Sequence, residues 1–141
     1  MTIKEICTFE VAKLAKEKGF KEEVFAYYDY EGDLVYAVSP YRGSSIIEIL
    51  VDKNKQNPIG AEYTSAPTQS LLQRWLREEK KLHIEIIATA SGYYWVLNKT
   101  NGTSITDSDV LDRWTNEDSG RFDIYEQALE DALKYSLENL V

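Results

Sequence analysis

Few groups in this chain could act as an activated nucleophile or base. His83 is the single histidine and Cys7 the single cysteine in 141 residues. Nucleophilic catalysis needs a serine or cysteine next to a base that takes its proton. Cys7 lies just before a predicted helix, with Lys4 and Lys13 nearby in sequence, and a thiol at a helix N-terminus can be activated. A packed, inert thiol explains it as well, and that is the expectation. His83 alternates outward on a strand that begins directly after a helix, so it is expected to be structural or simply exposed. Asp107, Asp109, Asp112, Glu117, Asp118 and Asp123 crowd one stretch, and oxygen-rich loops hold calcium. Here the register fails: position 111 is Leu, and no Gly or terminal Glu follows in place. A solvated loop is expected, and no metal site. A carboxylate-pair hydrolase would need convergence in space. Gly-x-Ser-x-Gly, P-loop and Gly-x-Gly-x-x-Gly patterns are missing. The chain is therefore expected to have no catalytic residue and no cofactor.

Binding chemistry is better represented. Tyrosine is the outlier, at 10 residues. Tyr27, Tyr28, Tyr30, Tyr36 and Tyr41 come early, and Tyr93 and Tyr94 adjoin Trp95. Aromatic residues suit pleated sheets and are enriched at interfaces. Tyr27, Tyr28, Tyr93 and Trp95 are the candidates for a binding surface, toward a protein partner or a second copy of the chain. The alternative is a small-ligand or nucleotide-binding domain, with a base stacked on these rings and Arg42 or Arg74 on phosphate. The formal net charge of −8 argues against whole-surface attraction to nucleic acid or anionic membrane. Arg74, Arg77, Lys80 and Lys81 make a local basic group, read as a solvated helix face.

The elements that must position these residues follow from periodicity and punctuation. Thr8 can cap a helix to about Lys18, with Val11, Leu14 and Ala15 as its stripe and Gly19 as its C-terminal cap. Val24–Tyr30 and Leu34–Val38 read as strands joined by Glu31-Gly32-Asp33. The segment 46–51 leans to a strand, and 52–60 to a polar loop. Ser65 or Thr68 and Pro67 start a helix carrying Leu71, Leu72, Trp75 and Leu76. The period then changes to two, with Leu82, Ile84 and Ile86 on one face and His83 and Glu85 on the other. Tyr93–Asn98 is the next strand, and Asn101-Gly102 turns it into 103–106. The stretch 107–120 reads as a short helix or loop. Asp123 to Glu126 has a capping-box pattern, ahead of a stripe of Leu129, Ala132, Leu133, Leu137 and Leu140.

The expected fold is α+β: a two-layer, mostly antiparallel sheet of about five strands with amphipathic helices on one face. Length predicts a single domain over 1–141. No apolar run reaches the ~18 residues of a membrane span, and residues 1–7 lack the apolar run of a signal peptide, so the expected compartment is the cytoplasm.

Ala66-Pro-Thr68, Trp75-Leu-Arg-Glu78, Tyr93-Tyr-Trp95 and Tyr125-Glu-Gln-Ala-Leu-Glu130 together resemble a group of small proteins of Bacteroidetes phages and prophages. The resemblance covers about the last half of the chain and the first helix. It implies a phage or mobile-element context and brings no activity, cofactor or functional residue with it.

Overall fold

The computed structural model describes residues 5–36, 38–40, 46–48, 51, 63–102, 110–118 and 121–141. The chain is α+β, and its contacts cluster into two compact units, Met1–Thr68 and Gln69–Val141. Arg42, the stretch 52–60, the return strand 103–106 and Asp107 and Asp109 lie outside the described residues.

In the first unit, helix α1 (Phe9–Glu17) begins where Thr8 predicts. The Thr8 hydroxyl accepts the Val11 N–H at 3.3 Å. Gly19 takes the left-handed conformation (φ 95°), and the Phe20 N–H returns to the Ala15 carbonyl at 3.0 Å. That reversal tucks Phe20 fully inside, as a helix C-terminus with a glycine cap favours. Val11, Ala12 and Ala15 form the buried stripe. Among the described residues five strands follow: β1 (Ala26–Tyr28), β2 (Leu34–Tyr36), β3 (Val38–Pro40), β4 (Ile46–Glu48) and β5 (Thr64–Ser65). The order β2-β1-β5 makes one antiparallel sheet, and β3 and β4 make a separate ladder. The segment at 46–48 is thus a strand, as its β-branched residues suggest. Ser65 belongs to β5, so it is a buried strand residue and not a helix cap. Ala12, Ala26, Tyr28 and Ala66 pack into one small cluster, where the three alanines let the helix lie close to the strands.

In the second unit, α2 (Gln69–Lys80) buries Leu72, Trp75 and Leu76. Its last carbonyls are met by cations: Lys81 Nζ donates to Glu78 O at 2.8 Å and Lys99 Nζ to Lys80 O at 2.7 Å. Positive charge there complements the helix dipole. Lys81 itself is left-handed (φ 58°) and turns the chain out of the helix. Strands β6 (Leu82–Thr89), β7 (Gly92–Thr100) and β8 (Val110–Thr115) form an antiparallel sheet in chain order. The first two are the expected meander. The third corrects the expectation of a helix or loop at 107–120. It is an edge strand with Leu111, Asp112 and Arg113 exposed and a register shift opposite Lys99 and Thr100, so it lacks the alternation that marks a half-buried strand. Helix α3 (Tyr125–Asn139) buries Ala128, Leu129, Ala132, Leu133 and Leu137. Its N-cap is Ile124, without a side-chain cap, so the capping-box reading placed the start one residue early.

The sheet of about five strands is not found among the described residues, whose strands are shared between smaller sheets. No helix among them is long and apolar enough to cross a membrane.

Candidate functional site

Strand alternation decides where the four aromatic candidates point. Tyr28 and Tyr27 face opposite sides of β1. Tyr28 is 8% exposed; its ring meets Phe9 edge-on at 5.2 Å, and its hydroxyl donates to the Cys7 carbonyl at 2.5 Å. Cys7 is itself buried, as expected of a packed thiol. Tyr28 is thus a core residue that ties the start of α1 to β1. Tyr28→Phe keeps the ring and removes that buried hydrogen bond. It is expected to cost about 1–2 kcal/mol, read as a lower urea midpoint at unchanged slope. Tyr27 is half-buried and lies edge-on to Tyr63 at 5.5 Å.

Tyr93 and Trp95 share one face of β7, the face that α3 packs on. Trp95 is 3% exposed; its indole N–H donates to Asp131 Oδ2 at 2.8 Å and its ring lies 5.0 Å from Tyr135. Tyr93 is half-buried against Tyr125 at 5.9 Å. Both are therefore engaged with α3. The four candidates divide two and two between the units, and two of them are core.

The opposite face of the β6–β7–β8 sheet carries His83, which is buried and not outward. Its Nε2 lies 3.1 Å from the Thr100 hydroxyl and 3.3 Å from the Gly102 carbonyl. That hydroxyl donates in turn to the same carbonyl at 2.5 Å, which leaves the imidazole a structural role at the end of the hairpin. Arg121 stacks on Tyr94 with Cζ 4.6 Å from the ring centre. Its Nη1 is buried without a hydrogen-bond partner, and the ring face compensates it in part. Among the described residues no group of three His, Cys, Asp or Glu could hold a metal ion.

What sequence reasoning missed is a surface around Tyr28. Leu34 and Tyr36 pair across from Tyr28 and Ala26, so they point to the same side of the sheet as α1. Leu34 is 39% exposed and Tyr36 51%. Phe9, at the start of α1, is exposed to a similar degree and touches the Tyr28 ring. Among the described residues β2 pairs with β1 alone. The available signal was the alternation Leu34-x-Tyr36 on a three-residue strand, too short to say which face a helix covers.

No known protein family, curated protein or solved structure matches the chain.

Proposed function

We propose that this protein acts by binding another protein through the apolar surface around Tyr28, and that it catalyses no reaction. The observation that carries this reading is the group Phe9, Leu34 and Tyr36, exposed around one buried ring beside the edge of β2 that no described strand pairs. Contiguous exposed apolar side chains mark interaction surfaces, and aromatic residues there act as anchors.

Magnitudes say what the partner must add. At about 25 cal/mol per Å2, covering the exposed parts of these side chains contributes on the order of 6 kcal/mol. Association costs about 4–15 kcal/mol in lost freedom. The aromatic group alone is therefore too small, and main-chain hydrogen bonds along β2 supply the remainder in the manner of an added strand. A net charge of −8 favours a neutral or basic partner over a second copy. In the same reading each unit is a two-layer block with helices on one sheet face; the packing of α3 on Tyr93 and Trp95 supports that for the second unit. The setting is the cytoplasm of a bacterial host, with the protein encoded by a phage or prophage of the kind it resembles.

Leu34→Glu with Tyr36→Glu is expected to weaken partner capture about a hundredfold, about 2.8 kcal/mol, at an unchanged circular dichroism spectrum. Leu34→Ala with Tyr36→Ala separates lost contact area from added charge. Equal capture by the wild type and both double variants, or a strict monomer that captures nothing, contradicts the reading.

A further inference from the structure

A groove of about 190 Å3 lies in the first unit, lined by Phe9, Lys13, Asp29, Tyr30 and Thr64. Three elements build it. Phe9 and Lys13 are one helical turn apart on α1 and so share a helix face. Thr64 comes from β5, and Asp29 and Tyr30 from the turn after β1. That turn is held firmly. Asp29 Oδ1 accepts the N–H groups of Glu31 at 2.9 Å and Asp33 at 3.0 Å. The Asp29 N–H donates to the Asp33 carbonyl and the Gly32 N–H to the Asp29 carbonyl, each at 3.0 Å. The Asp29 carboxylate is thereby fixed in orientation, with Oδ2 left over.

Among the described residues, the two charged side chains of this groove are not paired with each other. Lys13 and Asp29 carry opposite charges on one small cavity, and no ion pair joins them. Thr64 lines the same groove and is itself only 4% exposed. We propose that the groove binds a small zwitterion, a molecule carrying both a carboxylate and an ammonium. Its carboxylate meets Lys13 Nζ and the Thr64 hydroxyl, its ammonium meets Asp29 Oδ2, and its aliphatic stem lies against the Phe9 ring. The paired signs select a neutral ligand, because a phosphate attracted by Lys13 would be repelled by Asp29. The volume selects a small one, since sites for drug-sized ligands run to about 300–1,000 Å3, and a nucleotide is too large.

The test is amide chemical-shift titration of the full chain with glycine, β-alanine, 4-aminobutyrate and 6-aminohexanoate, with acetate and methylammonium as single-charge controls. At least one zwitterion is expected to saturate shifts at Lys13, Asp29 and Thr64 with a Kd on the order of 1 mM. Lys13→Gln and Asp29→Asn are each expected to weaken it about tenfold, as does Thr64→Val, and each single-charge control binds more weakly than that zwitterion. The same spectra report whether each variant is folded. No saturable shift at these positions with any zwitterion, or binding by K13Q and D29N equal to wild type, overturns the proposal. The groove shares Phe9 with the partner surface but not Leu34 or Tyr36, so the Lys13 and Asp29 variants and the Leu34 and Tyr36 variants test the two readings separately.

Discussion

Trp95→Ala is expected to destabilise the Gln69–Val141 unit by about 3–5 kcal/mol, the range for removing a buried aromatic side chain and leaving its cavity. The location of Trp95 sets the size of the effect. It is almost wholly buried in the middle of β7, where cross-strand pairing places Ile86 opposite it. The ring lies 5.0 Å from Tyr135, and its N–H is bound by Asp131 at 2.8 Å. The alanine variant loses the packing of α3 on the sheet together with that hydrogen bond. Trp95→Phe keeps an aromatic ring and loses the N–H, and is expected to cost about 1–2 kcal/mol. Urea unfolding followed by circular dichroism checks both. A loss below about 1 kcal/mol for the alanine variant would mean that Trp95 stands at a surface, as the sequence alone suggested.

Gly92→Ala is expected to cost about 3 kcal/mol, from backbone strain and displaced pairing. Gly92 opens β7 at φ 123°, a conformation that side chains rarely adopt. A Cβ added there would stand 2.6 Å from the Phe122 carbonyl oxygen, closer than non-bonded atoms tolerate. That oxygen cannot yield easily, because it accepts the Tyr93 N–H at 2.7 Å while the Phe122 N–H returns to the Tyr93 carbonyl at 2.9 Å. The methyl group must therefore break the bridge that joins the segment ahead of α3 to β7. Hydrogen exchange should show faster exchange at Tyr93 and Phe122 in the variant. Unchanged protection at both amides would contradict this account.

The sequence showed helices and hairpins well and faces poorly. Thr8 and Gly19 bracket α1 because hydroxyl caps and left-handed glycines act locally. Leu72, Trp75 and Leu76 on α2, and Leu129, Leu133 and Leu137 on α3, are legible from the 3.6-residue period. The switch to period two at Leu82 marks β6. Val110–Thr115 was not legible, because an edge strand with Leu111, Asp112 and Arg113 in solvent has no buried alternation to read. The burial of two of the four aromatic candidates, Tyr28 and Trp95, was not legible for a related reason. Alternation shows that Tyr28 and Tyr27 face opposite ways and that Tyr93 and Trp95 face the same way. Which face a helix then covers depends on contacts distant in sequence, and α1 and α3 cover Tyr28 and Trp95. The groove was invisible for the same cause, since Lys13, Asp29 and Thr64 come from a helix, a turn and a strand that only the fold brings together.

Photo-crosslinking from single positions tests the partner-binding claim most directly. A photoreactive side chain at position 36 samples the surface around Tyr28. One at position 111, where Leu111 is 64% exposed on the edge of the other unit's sheet, samples an exposed apolar side chain outside that surface. In cell lysate, position 36 is expected to give one discrete adduct, lost in the Leu34→Glu background, while position 111 gives none. Identical adduct patterns from the two positions, or an adduct at position 36 that survives Leu34→Glu, would contradict a docking surface around Tyr28.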